Sequence, residues 1–337
     1  MKRIILWSLF VLVMTFGMAM YGETPGASET TAPQDSTINI IAWFNKHDTV
    51  TYRTCQNSWN LNGTDTVLTG SSSITARINV VDSTAEGYKM EYTFLDFSTD
   101  ALPDSASIVS RFQNQITDKL ARKIVGTTVR FETDEFGHIT KFNNLGQVKK
   151  QSGSLFKMAL DELSKMPEVQ GLMDMGFDIK NYAKNIDTDK LVDGYLEELN
   201  MLFAYHGFSM EAGENTEHED ATASQYENTT YISAAVDADD DSYIIEQDVI
   251  SILPRTELKK IAGGIAESFS SDSISNSINE NFDSQINTDG TYRDYLKIGY
   301  LVNGWPYSVV RQKATMIGNR GRIKQTVISI DSYSFAQ

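Results

Sequence analysis

From Thr49 to Phe97 the side chains alternate between apolar and polar, and this period of two constrains the fold more than any other feature of the chain. Val50 and Tyr52 share one face, Ile74, Ala76, Ile78 and Val80 share another, and Tyr88, Met90, Tyr92 and Phe94 share a third. Successive side chains of a strand point to opposite faces, so each run buries one side of a sheet and leaves the other polar. "NLNGTD" at 60–65 and "DSTAEG" at 82–87 carry turn residues that join antiparallel neighbours. The stretch is predicted to be a β-meander.

The period then lengthens. Ile108, Phe112, Ile116, Leu120 and Ile124 recur every four residues behind "LPDS", where Asp104 or Ser105 can cap a helix, and Gly126 ends the run. This predicts a helix near 105–124. A second is expected near 150–166, with Leu155, Phe156, Ala159, Leu163 and Met166 on one stripe and a break at Pro167. A third, near 188–206, has Leu191, Tyr195, Leu199 and Leu202 in phase, and Pro254 opens a fourth with Leu258, Ile261, Ile265 and Phe269 inward. Period two returns at Thr127, Val129 and Phe131, again from Tyr226 to Leu253, and again from Ser275 to the end, with turns at "NTDG", "NGWP" and "GNRG". Glu211–Ser224 reads as a polar acidic loop. Helices inserted between runs of antiparallel strands give an α+β fold, a large curved antiparallel sheet with the helices packed on one face.

The first residues read as a targeting segment. Lys2 and Arg3 precede an apolar run from Ile4 to Phe16, and small residues follow at Gly17, Ala19 and Gly22. That order is a secretory signal peptide, here 1–22, and the run is shorter than the about 20 residues of a membrane span. No cysteine lies near the expected cut between Ala19 and Glu23, so the lipid-bearing cysteine of a bacterial lipoprotein is missing. Residues 23–37, rich in Ser, Thr and Pro, read as a flexible leader. The remainder, 38–337, reads as a single half-barrel-like domain with a helical insertion at about 146–208. Hydrophobic residues make up 41% of the sequence, enough for a core. The expected location is periplasmic or secreted, without an integral membrane span.

Charge narrows the partners. A formal net charge of −16 repels nucleic acid and anionic membrane surfaces. The one cysteine, Cys55, lies in an alternating run with no histidine near it in sequence, which fits a plain strand residue rather than a nucleophile.

"VRFETDEFGHIT" at 129–140 gathers Asp134, Glu135 and His138, types that bind metals and move protons. Strand-like residues enter and leave it, and Gly137 can take the positive φ of a tight turn, so it is predicted to be a turn. "AVDADDDSY" is the better metal candidate, because Asp237, Asp239 and Asp241 alternate as ligands do at the start of a calcium loop. The glycine that should follow is missing, and Asp248 stands where the closing glutamate belongs, so calcium is expected to bind weakly or not at all. His218 sits in an acidic stretch, and His47 and His206 lack an evident partner. No hydrolase elbow, zinc-protease, phosphate-loop or dinucleotide motif occurs. No catalytic residue, metal, cofactor or ligand-binding residue is expected from these patterns, and the chain is expected to be a monomer.

Asp48-Thr49-Val50, Asp65-Thr66-Val67, Asp104-Ser105-Ala106 and Asp272-Ser273-Ile274 resemble the Asp-Ser/Thr-aliphatic acceptor of a bacterial general O-glycosylation system. They make Thr49, Thr66, Ser105 and Ser273 candidate modification sites. The strand-turn-strand "VRFETDEFGHITKF" leading into a helix, and the late run "YLKIGYLVNGWPYSVVRQKATM", resemble the LolA/LolB-like lipoprotein-localisation half-barrel superfamily and related exported bacterial proteins. The resemblance implies a curved sheet wrapped around helices, with an acyl chain in the space between them. Two functions follow. The first is an exported, non-enzymatic protein binding a lipid or other apolar ligand between sheet and helices, near Tyr88, Met90, Tyr92, Phe94, Phe156 and Leu199. The alternative is a cell-envelope interaction or adhesion module with a packed core.

Overall fold

The computed structural model describes residues 37–103, 122–165, 167–174, 196–219, 226–237, 241–267 and 286–336, with Asp118, Asn276, Glu280, Phe282 and Ser284 singly. Thr37, the last residue of the expected leader, opens the first strand. The signal segment, the leader up to residue 36, Phe112, Ser105 and Ser273 lie outside the described residues. So does most of the helix expected near 105–124; Asp118 is helical and Ile124 is buried.

The predicted meander is present. Strands β1 (Thr37–Asn39), β2 (Thr49–Asn62), β3 (Asp65–Thr84) and β4 (Gly87–Thr99) are followed by β5 (Thr128–Thr133) and β6 (Ile139–Phe142). Helices α1 (Leu145–Leu163) and α2 (Pro167–Asp174) come next; the break expected at Pro167 separates them, and Pro167 opens the second. A proline at the first helical position gives up an N–H that would have no partner there. A short helix covers 196–202 and ends in a turn at 203–207, earlier than the pattern suggested. Then follow β7 (Ser209–Glu211), β8 (Gly213–Glu219), β9 (Glu227–Val236), β10 (Tyr243–Leu253), α3 (Arg255–Glu267), β11 (Gly290–Tyr300), β12 (Pro306–Ile317) and β13 (Arg320–Ser334).

The acidic stretch read as a loop therefore carries strands. β8 pairs with β9 from Gly213↔Ala234 to Glu219↔Asn228 and forms an edge of the sheet. An edge strand needs few apolar residues, and charge there discourages pairing with other chains, so its sequence resembles a loop.

Eleven strands form one antiparallel sheet in the order β6-β5-β4-β3-β2-β13-β12-β11-β10-β9-β8, open at both edges, while β1 and β7 pair separately. β13 lies between β2 and β12, so strands far apart in the sequence pair in the middle of the sheet. The turns fall where Gly and Asn permit: Gly63 has φ +64 and Gly318 φ +61. At Gly87, φ is +135 and an added Cβ would stand 2.1 Å from the Thr133 carbonyl oxygen, so only glycine fits where β4 begins.

One face of the sheet is covered. Tyr52, Ala76, Ile78, Tyr92, Phe94, Val129, Phe131, Ile298, Val309 and Ile328 lie there, packed with Leu199, Leu202 and Phe203 of the 196–207 segment and with Val148 of α1. A smaller core joins Leu258 and Ala262 of α3 to Leu253 and Tyr292 of β10 and β11. Tyr292 and Ile298 have the same parity on β11, so α3 and the short helix sit on the same face.

Candidate functional site

The register of the four central strands organises the covered face into rows. One row runs Ile74, Thr54, Ile328, Val309, and beyond it lie the buried aliphatic and aromatic residues of the main core. This end of the strands is proximal here. In the other, distal direction the same parity turns polar. The next rows carry Ser72, Gln56, Thr326 and Arg311; then Gly70, Ser58, Lys324 and Lys313; then Asn60, Arg322 and Thr315. Four strands thus change from apolar to polar at the same height, while the opposite face inverts the order. There Leu68, Trp59, Ile323 and Ala314 form a distal apolar row.

The short helix supplies two carboxylates at this boundary. Glu198 is buried, and its Oε2 accepts hydrogen bonds from the Tyr92 hydroxyl at 2.7 Å and the Thr54 hydroxyl at 3.1 Å. Burial pushes its pKa above the usual carboxylate range, and the two hydroxyls only temper that shift. Its neighbour Glu197 meets the cations. Lys313 Nζ lies 2.6 Å from Oε1, Lys324 Nζ 3.4 Å from Oε2, and Arg311 Nη1 3.6 Å from Oε1. Burial alone would raise this carboxyl, but Lys324, Lys313 and Arg311 outweigh it and hold the pKa down at about 2. Arg311 also forms a bidentate pair with Asp294, its Nε donating at 2.6 Å. Two adjacent residues of one helix therefore hold carboxyls with opposed proton affinities.

Arg322 differs from these cations. It is half-buried on β13 between Asn60 and Thr315, burial lowers its pKa, and among the described residues no carboxylate reaches it. On the opposite face, by contrast, charges pair: Lys297 and Tyr295 with Glu246, Arg293 with Asp248, and Arg130 with Glu91.

The sequence candidates fall elsewhere. Asp134 is a turn residue: its Oδ1 accepts from the backbone N–H of Phe136 at 3.1 Å and of His138 at 2.9 Å. Gly137 has φ +96, as the turn requires, and His138 Nδ1 stands 3.8 Å from Asp134 Oδ2. At the Asp237–Asp241 tip, Asp237 N donates to Ser242 O and Asp241 N to Asp237 O, closing the hairpin between β9 and β10; Asp239 lies outside the described residues. Among the described residues no three His, Cys, Asp or Glu gather as metal ligands would. Cys55 is an exposed strand residue.

Of the acceptor-like sites, Thr66 is exposed beside the Gly63 turn, whereas the Thr49 hydroxyl bonds Asn79 Oδ1 at 3.1 Å. Asp48, which precedes Thr49, is buried and accepts from Asn45 N at 2.8 Å and Ala336 N at 2.7 Å, a structural task. Tyr88, Met90, Tyr92, Phe94 and Leu199, expected to face a ligand, are core residues packed on one another. An open surface hollow of about 380 Å³ is bordered by Gln147, Lys150, Gln151 and Ser154 of α1, none of them an apolar side chain of the sheet.

His206 was not singled out by any sequence partner, yet it is buried at the centre of an aromatic group. Its ring lies 5.0 Å from Phe203, 5.3 Å from Tyr300 and 5.8 Å from Phe44, centroid to centroid. Nε2 is 2.9 Å from the Gly304 carbonyl, which can only accept, so Nε2 carries the proton. Burial lowers its pKa to about 4 against the smaller pull of that carbonyl.

No protein-family model matches the chain, and no curated protein matches it. Among solved structures, one of lipovitellin concerned with lipid–protein interactions aligns at a TM-score of 0.41 and 11% identity, over 87% of this chain and 26% of that one. This chain thus spans about a quarter of the lipovitellin chain. An outer membrane channel from Pseudomonas putida F1 aligns at a TM-score of 0.12 and 7% identity, over 89% of this chain and 100% of that one. At these values neither likeness bears on function. Among the described residues no helix is long and apolar enough to cross a membrane.

Proposed function

We propose that this is an exported, non-enzymatic binding protein for an amphiphile with an acidic headgroup, held on the covered face at its polar rows. The observation that carries this reading is Arg322, a half-buried guanidinium without a carboxylate partner among the described residues, in a chain of net charge −16. An acidic chain has carboxylates to spare, and a desolvated cation normally acquires one. An incoming carboxylate or phosphate would complete Arg322, with Lys324 one row away and the Asn60 and Thr315 side chains beside it. The apolar part would lie toward the second core, because Thr315 pairs with Tyr292 and Ile317 packs against that cluster. The element-order resemblance to LolA/LolB-like carriers fits the proposal.

Native mass spectrometry of protein purified from its own host tests this reading. A co-purifying acidic amphiphile is expected, and a fluorescent fatty acid should bind the wild type better than its methyl ester. Arg322→Met should weaken fatty-acid binding about tenfold, the equivalent of one lost charge-assisted contact. No co-purifying molecule, together with no difference between acid and ester, would overturn it.

A specific observation favours the second reading, an envelope interaction module. The main core is filled with rings, including Phe44–Trp305 at 4.1 Å, Phe44–Tyr88 at 5.2 Å and Phe131–Phe203 at 5.5 Å. A filled core leaves no room for a ligand at those residues, and the module reading is what an absence of any bound amphiphile would support.

A further inference from the structure

The proximal end of the molecule carries large apolar side chains that the core does not use. Trp43 is 67% exposed, Phe208 54%, Val302 54% and Phe136 44%. They come from four separate segments, yet the backbone ties them together. Ala42 N donates to Phe136 O at 2.9 Å, Trp43 N to Asn303 O at 3.0 Å and Ile40 N to Phe208 O at 3.2 Å. Gly207 N returns a bond to Ile40 O at 2.9 Å, and a Cβ at Gly207 would sit 3.6 Å from Phe136 Cβ. Segment 40–44 runs through the middle, burying Ile40, Ala42 and Phe44 while Trp43 faces out. At Gly304, φ is +83 and an added Cβ would be 2.4 Å from the Ile41 carbonyl, so the Val302 loop is held tightly against it.

The chemistry of the rim points to one kind of partner. Three of its four segments, 40–44, 207–210 and 300–306, contain no charged residue in a chain that is 22% charged. Contact surfaces between proteins keep a polar rim, and a strand-adding peptide needs open backbone groups. Here the backbone groups of Ile40, Ala42, Trp43 and Gly207 are already bonded within the fold. Tryptophan and phenylalanine on tied loop tips suit the headgroup boundary of a bilayer, where an apolar ring can enter without stranding a donor. A net charge of −16 opposes approach to an anionic bilayer. We propose that this rim seats the protein on an uncharged or zwitterionic lipid–water interface through Trp43, Phe136, Phe208 and Val302.

Flotation of the full chain with vesicles tests this. Phosphatidylcholine vesicles should carry the protein and shift Trp43 emission to the blue, and brominated lipid should quench it. Binding should fall as phosphatidylglycerol replaces phosphatidylcholine. The pair Trp43→Ser and Phe208→Ser should cut vesicle binding by about tenfold or more, since two side chains lose their insertion. Both sites are exposed, so the melting midpoint should stay unchanged and the loss cannot be blamed on unfolding. Arg322→Met should leave vesicle binding intact, which separates this proposal from the ligand site. Wild-type protein that ignores phosphatidylcholine, or that binds better as anionic lipid rises, overturns it. Sedimentation showing a self-associated species that the same two substitutions abolish would overturn it in favour of a second copy of the chain.

Discussion

The covered face of the sheet holds two different environments on the same strands. Proximally, Tyr52, Tyr92, Ile298, Val309 and Ile328 are sealed beneath the 196–207 segment and its rings. Distally, Gln56, Ser58, Asn60, Lys324, Lys313 and Arg322 occupy the same parity and are only half-buried. β2, β12 and β13 stay paired through both, the β2–β3 register shifting at Ser58/Trp59 inside the distal rows, so strand pairing alone does not distinguish the two. What differs is what the side chains exchange for water. The proximal end removes apolar surface and holds the sheet together; that anchoring lets the distal end carry charge whose burial would otherwise be unfavourable.

Truncating one side chain in each environment should show the difference most strongly. Phe203→Ala removes a ring that meets Phe44 at 6.4 Å, Phe131 at 5.5 Å and His206 at 5.0 Å, and should cost about 3–5 kcal/mol. Ser58→Ala, in the distal rows, should stay within about 0.5 kcal/mol. Chemical denaturation measures both. Equal losses would mean that the two ends do not differ as described.

Between the two ends stands Glu197. Replacing it with Gln leaves Lys313, Lys324 and Arg311 without their shared counter-charge and should cost roughly 2–3 kcal/mol at pH 7, less than for a fully buried pair. Its folded pKa is held near 2, below the ordinary 4.5. The stabilisation it gives is therefore present above 4.5 and is lost as pH falls from there toward 2. Glu198 has the opposite sign: its raised pKa means that burial favours the protonated form, so its contribution diminishes as pH rises through that value. Stability curves of Glu197→Gln should lack the low-pH loss, and a curve parallel to wild type below pH 4.5 would contradict this assignment.

A different pH window reports on the proximal end. His206 has a folded pKa of about 4 against 6.5 in an unfolded chain, so unfolding takes up a proton between those values. Stability is full above 6.5 and falls as pH drops toward 4, by about 2 kcal/mol at pH 5 relative to pH 7. Denaturation at the two pH values, with His206→Gln as the control, separates this loss from that of Glu197. A pH 5 to pH 7 difference that is the same in wild type and in His206→Gln would mean that the ring is not buried among its aromatic neighbours.

Much of this arrangement was legible in the chain, and the illegible parts have physical causes. Strands β2 to β4 and the turn at Asp134 follow from alternation and turn chemistry, because both are local. β8 is not legible because its sequence, GENTEHE, holds no apolar residue and so no alternation. The distal rows were readable in principle: Val50, Tyr52, Thr54, Gln56, Ser58 and Asn60 keep one parity while changing character. That gradient acquires meaning only when β13 supplies Ile328, Thr326, Lys324 and Arg322 in register, a pairing between residues about 270 positions apart that no local pattern encodes. The Glu197 cluster and the His206 rings are likewise assembled by long-range packing. Glu197 meets no cation nearby in sequence, and of the rings around His206 only Phe203 is a near neighbour in the chain.

Arg322 gives a small expected stability change and the sharpest separation of the two roles. A guanidinium that loses hydration without gaining a carboxylate costs the fold free energy, and the same burial lowers its pKa. Methionine has a comparable length and no charge to desolvate, so Arg322→Met should change stability by no more than about 1 kcal/mol, in the direction of a gain. Arg311→Met provides the contrast: it strands Asp294 and part of Glu197, and should destabilise. If Arg322 were a structural cation with a counter-charge, its substitution would behave like that of Arg311. Denaturation midpoints of the two variants, set beside their affinity for the fluorescent fatty acid, decide the matter. Retained stability with lost affinity marks Arg322 as a binding residue, whereas matched losses of stability would return the distal rows to the scaffold.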